Sequence, residues 1–462
     1  MQRLLQQIKG LIQAHPDPQL NRFWQATQLA VLLLPISGFI AAVTVALSSL
    51  VLCTQRFDQF ASRRLNQGFA VLSLLMILSA LLAYRQVDAL LGLANFLPLF
   101  IGFAALSELI QAPAQLRHLA WLLVIGSIPV VVIGMGQQFL GWAGHVQLLG
   151  PTIDFTIAPT GNPPGRMAST FFYANVLATY LTIVFILNLG LWIESTLIIV
   201  PSETGRRHLY GQKQQIFLAV MLLANGLALV FTNSRNAWAI AALACLAFAI
   251  YQGWRFLLAG VGLIVGSVLG AAFGPSPLRE GLRGIVPAFF WARVNDQMFP
   301  DRPVALLRLT QWQTAWSLSQ QRPGWGWGLR NFSPLYAEKM GVFVGHPHNL
   351  ILMLLAEIGI PATTLFVGLV SSIVYQGFRL ILDWPGLQSS TALVQVGAQP
   401  MAVADRLLYF SFWVAFLGCS ISYLFDVTLF DVRVNLLGWL LLAAIGGLSS
   451  QACPRRGNTH QV

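Results

Sequence analysis

The chain has 462 residues, of which 56% are apolar and only 9% are charged. A soluble domain normally carries about 25% charged residues, so this composition excludes a globular surface that faces water on all sides. The formal charge of +11 does not indicate a nucleic-acid partner, because the cations lie between apolar segments, where they orient a membrane protein. We therefore expect a lipid bilayer as the main partner and no nucleic acid.

The first 22 residues predict an amphipathic helix that lies on the membrane surface. They lack the apolar core and cleavage site of a signal peptide. Their apolar residues share one helical face, which suits an interfacial helix. These residues are Leu4, Leu5, Ile8, Leu11 and Ile12.

Apolar segments long enough to cross a bilayer, about 20 residues each, follow along the chain. The segment 23–53 is broken at Pro35–Gly38 and predicts a hairpin of two short crossings. The segment 348–381 is broken at Gly359–Pro361, so we expect its first part to dip into the protein or lie at the interface. The other candidate spans are 67–83, 87–106, 118–140, 171–193, 214–232, 237–253, 256–273, 405–424 and 432–450.

The distribution of charge predicts the orientation. With 23–53 as a hairpin and a cytoplasmic N-terminus, fifteen Lys and Arg residues fall in cytoplasmic segments and four in short outer loops. This is the asymmetry that the positive-inside rule requires, and a single span at 23–53 would break it. We therefore predict about twelve spans, within a range of ten to twelve, in the inner membrane with both termini cytoplasmic.

The segment 275–345 is the one marked change in composition. It holds eight Lys and Arg residues, four Asp and Glu residues and five of the fourteen tryptophans. Leu306, Leu309, Trp312 and Trp316 recur at helical spacing and predict an amphipathic helix. The fold class is thus an all-α polytopic bundle with one large periplasmic loop. Its predicted segments are a cytoplasmic N-terminus (1–22), a first part of the bundle (23–274), the periplasmic loop (275–347), a last part of the bundle (348–450) and a cytoplasmic tail (451–462).

Arg235 lies in a very short connection between two predicted spans, Thr232 to Trp238. On its own, an arginine at the membrane boundary is best explained as an anchor that extends toward the head groups. The alternative is an anion clamp, because guanidinium offers a fixed fork of donors to phosphate. Arg308 begins the amphipathic helix of the loop, where an ordinary solvated charge is the simpler reading.

Two of the seven histidines, His346 and His348, lie together where the polar loop re-enters the membrane. Histidine is the side chain best suited to proton transfer near neutral pH. Asn349 follows at once and could instead cap a helix. The sequence places no Asp, Glu or Cys nearby to complete a metal site, and the four cysteines lack ligand spacing, so we predict no metal.

Weaker candidates lie elsewhere in the predicted outer loops. Arg166 and Asn175 border the outer end of the span near residue 171. The glycine-rich segment 323–328 predicts a tight turn that carries tryptophans. Asp426, Asp431 and Arg433 share the last outer loop, where they could pair with one another.

These motifs together resemble the O-antigen ligase family and its polysaccharide-polymerase relatives, and most closely the cyanobacterial members. The resemblance covers roughly residues 160–450, and its most specific element is the His348-Asn349 pair ten residues before Gly359. The other matching elements are Ser234 to Trp238, Arg308 with Trp312, and Pro323 to Gly328. At Asn236, Arg330 and Ala362 the sequence departs from the residues usual in this family. These departures leave open whether the product is a ligated or a polymerised glycan.

The resemblance implies a donor glycan on undecaprenyl diphosphate, a glycolipid or glycan acceptor, and transfer without cofactor or metal at the periplasmic face. It implies that Arg235 and Arg308 bind the diphosphate and that His348 orients or deprotonates the acceptor hydroxyl. The supporting residues would be Arg166, Asn175, Arg330, His346 and Asn349. The competing hypothesis is a transporter of bicarbonate or another small anion, although the predicted spans carry few mid-span charges.

Overall fold

The computed structural model describes residues 12–148, 153–197, 199–202, 205–208, 210–295, 303–384 and 398–452. Within these ranges the chain is an all-α bundle, which confirms the predicted fold class. The predicted surface helix falls mainly on residues 1–11, outside the described residues, as does most of the predicted cytoplasmic tail. The helices are α1 (Asn21–Leu33), α2 (Gly38–Gln55), α3 (Phe57–Ala61), α4 (Arg64–Leu81), α5 (Gln86–Gly92), α6 (Leu97–Leu109), α7 (Pro113–Phe139), α8 (Ala174–Leu197), α9 (Gln212–Phe231), α10 (Arg235–Gln252), α11 (Arg255–Phe273), α12 (Leu278–Ile285), α13 (Ala288–Val294), α14 (Arg308–Gln321), α15 (Phe332–Met340), α16 (Leu350–Leu382), α17 (Ala398–Tyr423) and α18 (Val432–Ala452).

Two short antiparallel hairpins interrupt the helices. Strands β1 (Gly144–Leu148) and β2 (Ile153–Ile157) pair in the connection from α7 to α8. Strands β3 (Ile199–Ser202) and β4 (Gly205–His208) pair in the connection from α8 to α9. The hairpins therefore lie at opposite ends of α8 and add no sheet to the core.

Among the described residues, nine helical segments are long and apolar enough to cross a membrane. A tenth span results if the pair Leu258–Phe273 and Leu278–Ile285, bent by 120°, is counted as one. Helix α1 has only 13 residues, and α10 is not among the nine. These two helices would bring the total to the predicted twelve, which stays a prediction.

The predicted break in 23–53 is confirmed. Helices α1 and α2 are separated by a turn, and the Ser37 hydroxyl caps α2 by accepting the Ile40 N–H at 3.1 Å. A serine at this position satisfies a backbone donor that the helix leaves open.

The core is built around α8 and α18, whose side chains are mostly buried. Helix α8 packs against α7, α9 and α17, and α18 packs against α6 and α16. A helix that is apolar all round in this way belongs to the interior of a bundle. We call the end of the bundle where α16 and α18 begin the site end, and the opposite end the far end.

A buried ion-pair network joins three helices at the far end. Arg117 of α7 donates to Glu194 of α8 at 2.6 Å and to Asp405 of α17 at 2.8 Å. The hydroxyl of Tyr210 also donates to Glu194 at 2.9 Å. Glu194 is fully buried, so these donors replace the water that its carboxylate has lost.

Helix α16 is kinked at Gly359, whose φ of 78° lies outside the helical region. The glycine-rich turn 323–328 docks into the kink, where Trp327 N–H binds the Ala356 carbonyl at 2.9 Å and Ile360 N–H binds that of Pro323 at 2.8 Å. A Cβ atom on Gly359 would meet the Gly324 carbonyl oxygen at 2.7 Å, so only glycine fits. The first part of α16 is mostly buried and therefore lies within the protein, one of the two predicted arrangements.

The amphipathic helix predicted in the loop is present as α14. Its apolar stripe points away from the protein, since Leu309 and Trp316 are 63% and 49% exposed. The opposite face is buried and packs against α16; it consists of Gln311, Thr314, Ala315, Leu318 and Ser319. The exposed stripe is suited to contact with lipid.

Candidate active site at the site end

Two adjoining cavities open at the site end of the bundle. One has a volume of about 850 Å³ and the other about 1310 Å³. Arg166, Asn175, His348 and Asp426 line both cavities and form the wall between them. We call the smaller cavity the basic chamber, because its other charged lining residues are Arg235 and Arg308. We call the larger cavity the mixed chamber, because its other charged lining residues are Arg85, Asp88, Arg330, Glu338 and Asp431.

Seven of the eight residues singled out from the sequence line these chambers. The exception is Asn349, which caps α16: its side-chain oxygen accepts the Leu352 N–H at 3.0 Å, and its amide group donates to the Leu424 carbonyl at 3.1 Å. Asn349 therefore fixes the start of α16 directly after the histidine pair. The seven are Arg166, Asn175, Arg235, Arg308, Arg330, His346 and His348.

The basic chamber concentrates positive charge at two helix starts. Arg235 is the first residue of α10, and Arg308 is the first residue of α14. A helix N-terminus carries partial positive charge and open N–H groups, which add to the guanidinium charges. With Arg166 included, three guanidinium groups line the chamber, and Asp426 is the one carboxylate among the described residues that line it. The chamber is thus an environment for an anion.

A chain of hydrogen bonds crosses the wall between the chambers. Arg166 donates to the Thr232 carbonyl at 2.8 Å and to the side-chain oxygen of Asn175. The Asn175 amide donates to Asp426 at 2.5 Å, and the other oxygen of Asp426 lies 3.5 Å from Nε2 of His346. The chain of hydrogen bonds ties the start of α8 and the end of α9 to the loop before α18.

His348 has one ring nitrogen fixed by Gln311. Its Nδ1 lies 2.8 Å from the side-chain oxygen of Gln311, whose amide nitrogen faces the Leu306 carbonyl at 3.4 Å. Because the amide oxygen can only accept, this orientation assigns the proton to Nδ1 and leaves a lone pair on Nε2. Burial, with a contribution from Arg308, lowers the pKa of His348, although Asp426 opposes the shift. The imidazole is therefore neutral at pH 7.

His346 has the opposite tautomer. Its Nδ1 accepts the backbone N–H of His348 at 3.2 Å, so the proton lies on Nε2, which faces Asp426. Burial lowers the pKa of His346 to about 4, although Asp426 opposes the shift. Its ring stacks on Phe430 at 6.0 Å between centroids. These contacts support the backbone that presents His348.

Three residues of the chambers hold a left-handed backbone that side chains other than glycine rarely adopt. They are Asn233 with φ 51°, Arg330 with φ 63° and His348 with φ 54°. Such a conformation costs roughly 1–3 kcal/mol and persists where the surroundings enforce it, often at functional sites. Asn349 and Gln311 supply that enforcement at His348.

The structure places an acidic residue beside the histidine pair, where the sequence showed none nearby. Asp426 is remote in sequence, yet it stands beside His346 and His348, with ligand atoms of all three within 4.8 Å of one another. Asp431 and Arg433 do pair with each other at 2.6 Å, and Asp426 does not join them. The tautomer of His346 fits a hydrogen-bond donor to Asp426 better than a metal ligand, because its Nε2 carries the proton.

The mixed chamber has balanced charge and exposed aromatic rings. Glu338 lies 3.9 Å from Arg85 and accepts the Tyr84 hydroxyl at 2.9 Å. Phe172, Tyr173 and Phe343 line the cavity, and each is at least half exposed. Balanced opposite charges beside exposed aromatic faces are suited to a saccharide rather than to a polyanion.

Backbone contacts from the kink of α16 position Arg330. The buried Glu357 of α16 accepts the Phe332 N–H at 3.1 Å, at the start of α15. Gly328 N–H binds the Glu357 carbonyl at 2.7 Å. Arg330, which lies between these two points, is thereby fixed at the wall of the mixed chamber.

Sequence reasoning missed Gln311, Arg85, Asp88 and Glu338 and gave Asp426 another role. Of these residues, only Gln311 could have been found from the sequence, because it lies three residues after Arg308 and therefore on the same helical face. The others are brought to the chambers by tertiary packing.

The fold and the site define a multi-pass membrane protein with a polar, largely basic chamber at one end of its bundle. A family model described as O-antigen ligase matches residues 218–367, about a third of the chain. This match supports the resemblance that the motifs indicated, and together with the many apolar helices it points to a multi-pass inner-membrane protein. No curated protein matches the sequence significantly. The matched segment includes Arg235, Arg308, Arg330 and His348 and leaves out Arg166, Asn175 and Asp426.

Proposed function

We propose that the protein transfers a glycan from undecaprenyl diphosphate to a hydroxyl group of a glycolipid or glycan acceptor, at the outer face of the inner membrane and without a metal. The observation that carries this proposal is the basic chamber, which combines three guanidinium groups with the imidazole of His348 on its wall. The family supports glycan transfer in general; the donor, the acceptor and the residue roles are our proposal.

The donor diphosphate binds in the basic chamber. Arg235 and Arg308 contact its oxygens, Arg166 stands at the shared wall, and Arg330 assists from the mixed chamber. When the anomeric bond breaks, negative charge develops on the diphosphate. Fixed guanidinium groups stabilise this charge in the transition state more than in the ground state, which accelerates the reaction.

The polyprenyl tail leaves the chamber through an apolar groove. A cavity of about 230 Å³ is lined by Leu350, which follows Asn349, and by Leu424, two residues before Asp426. Phe366, Phe416 and Trp439 also line it, so its surface suits isoprene units. The groove holds the first units of the tail, and the rest extends into the bilayer.

His348 acts as the general base. Its Nε2 lone pair takes the proton of the acceptor hydroxyl, whose oxygen forms a bond to the anomeric carbon. The bond from that carbon to the diphosphate oxygen breaks, and its electron pair leaves with undecaprenyl diphosphate. Asp426 and Gln311 stabilise the imidazolium that forms.

The acceptor approaches from the mixed chamber, on the other side of His348. Its charges are balanced, and its aromatic residues offer flat surfaces to sugar rings. This arrangement gives donor and acceptor separate chambers with the base between them.

No observation in the described residues favours small-anion transport instead. A transporter of this kind requires polar groups along a path near the membrane midplane. The two chambers lie at one end of the bundle, and the buried Arg117 and Glu194 bind each other.

A transfer assay with the purified protein tests the proposal. The assay follows glycan release from an undecaprenyl-diphosphate-linked donor in the presence of EDTA. We expect His348→Ala to reduce the rate by roughly 10²–10⁴-fold and Arg235→Ala by roughly 10²–10³-fold. Lys339→Ala, which removes an exposed cation of the same loop as Arg308 that lines neither chamber, is the control. Normal transfer by folded His348→Ala and Arg235→Ala would refute the proposed roles.

A further inference from the structure

A third polar cavity, of about 610 Å³, opens at the far end of the bundle. It lies between α4, α6, α16 and α18. We propose that it binds the phosphate head group of an anionic glycerophospholipid. Its lining residues are Arg63, Arg64, Leu65, Asn66, Phe103, Ser107, Gln376, Gly446, Ser450 and Gln451.

The position of the cavity along α18 corresponds to the opposite membrane boundary. Helix α18 begins at Val432, beside the mixed chamber, and Ser450 lies 18 residues further on. At about 1.5 Å per residue this span measures about 27 Å, close to the thickness of a bilayer's hydrocarbon core. The cavity therefore lies at the level of the other leaflet's head groups, far from the proposed active site.

The cavity carries positive charge, because the nearby carboxylate of Glu108 already forms ion pairs with other arginines. Glu108 forms ion pairs with Arg63 and, at 3.6 Å, with Arg56. Arg64 forms no ion pair with the described residues, and no Asp or Glu lines the cavity. Arg64 is thus the cation of this cavity that remains available to an anion.

Hydrogen-bond donors surround this charge. Gln376 of α16 and Gln451 of α18 line the cavity, and each carries an amide group that can donate. Helix α4 begins at Arg64, and its N-cap residue Arg63 makes no side-chain cap hydrogen bond, so the first N–H groups of the helix can serve an acceptor from elsewhere. A phosphate needs several donors around one cation, and this wall supplies them.

The floor of the cavity favours a lipid over free phosphate. Phe103 is almost fully buried there, and Leu65 is half-buried. An apolar floor below a cationic rim suits an amphiphile with its phosphate at the rim and its glycerol and acyl groups below. Free phosphate has no apolar group that could contact the apolar floor.

Lipid binding to the purified full-length chain tests this assignment. The chain is held in a non-ionic detergent and titrated with short-chain phosphatidylglycerol, phosphatidylcholine or inorganic phosphate, and bound lipid is counted by native mass spectrometry. We expect phosphatidylglycerol to bind and phosphatidylcholine not to. Arg64→Gln should weaken binding about fivefold, since one cation near a membrane surface contributes about that factor. Gln376→Glu, which keeps the side-chain shape and adds a negative charge, should weaken it similarly.

The matched control is Lys213→Gln. Lys213 is an exposed cation at the start of α9, also at the far end, and does not line the cavity. Its variant should bind phosphatidylglycerol as the parent chain does. Equal losses in Lys213→Gln and Arg64→Gln would reduce the effect to general surface charge and overturn the site. Unchanged binding in Gln376→Glu, or displacement of the lipid by equimolar inorganic phosphate, would also overturn the proposal.

Discussion

The two ends of the bundle use arginine in different ways. At the far end, Arg117 lies between two carboxylates at 2.6 and 2.8 Å, and Arg56 and Arg63 share Glu108. At the site end, Arg166, Arg235 and Arg308 surround a chamber whose only lining carboxylate among the described residues is Asp426. Around Arg117 and Glu108 carboxylates neutralise the guanidinium groups, whereas the described residues that line the basic chamber include more cations than carboxylates.

This difference shows what decides the role of an arginine at a membrane boundary. The sequence alone gives an anchor, an ion pair or an anion clamp for each such position. The number of carboxylates that the fold brings within reach separates these roles. Where carboxylates meet the guanidinium groups, as at Arg117, the arginine stabilises the fold; at the basic chamber, we propose that an anionic ligand binds beside Asp426.

The strongest test of this distinction is Arg117→Ala at the far end. The change leaves the fully buried Glu194 without its main partner, which costs about 3–5 kcal/mol of unfolding free energy. Unfolding of the purified protein in detergent measures this loss. The exposed pair of Arg379 and Asp383 is the control, and Arg379→Ala should change stability little. The distinction fails if folded Arg117→Ala loses transfer activity as completely as Arg235→Ala.

A smaller effect on the transfer rate is expected when Arg308 at the site end is replaced by alanine or lysine. Arg308→Ala should lower the transfer rate roughly 100-fold, because one stabilising donor group is lost. Arg308→Lys keeps the charge and loses the fork of donors, so we expect a loss of roughly tenfold. Steady-state kinetics with the lipid-linked donor measure both variants. Lys339→Ala, an exposed cation of the same loop, should be normal; a similar loss there would mean that the loop acts through its total charge.

The smallest expected effects concern the pH dependence of His348. A general base must be neutral, so activity falls as pH drops through the pKa of His348. Gln311→Glu places a negative charge beside Nδ1 of His348 and stabilises the imidazolium. The acidic limb of the pH–rate profile should therefore move upward by about one pH unit. Asp426→Asn removes the attraction that raises the pKa of His348 and should move the limb downward.

The rate of transfer as a function of pH distinguishes these roles from a structural one. A structural role for Gln311 or Asp426 would lower the rate at every pH and leave the limb where it is. Two shifts in the same direction would contradict the assignment of His348 as the titrating base. Gln311→Leu serves as the control, because it removes the hydrogen bond without adding charge.

The fold was predictable from the sequence where local composition and the positions of glycine and proline decide the structure. The hairpin at 23–53, the break at Gly359 and the amphipathic helix from Arg308 all follow from local composition and glycine or proline positions. The span count was harder, because α1 has 13 residues and α10 begins with the polar pair Arg235-Asn236. Length and hydropathy do not decide whether such helices cross a membrane.

The candidate site was predictable where it consists of motifs, and not where it depends on packing. Arg235 and His348 stand out in the sequence because they lie at the ends of predicted spans, whereas Arg308 is indicated only by the family resemblance. Asp426 is 78 positions from His348, and nothing near it in sequence indicates that α17 and α18 bring it to that ring. The tautomers of the two histidines likewise depend on contacts with Gln311 and with the backbone, which composition does not contain.

The central claim is that the basic chamber binds a lipid diphosphate without a metal. The most direct measurement is the affinity of the purified protein for undecaprenyl diphosphate in EDTA, compared between the parent chain, His348→Ala and the double variant Arg235→Ala/Arg308→Ala. We predict that the parent and His348→Ala bind equally well and that the double variant binds roughly 100-fold more weakly. Binding that requires a divalent cation, or that survives in the double variant, would contradict the account.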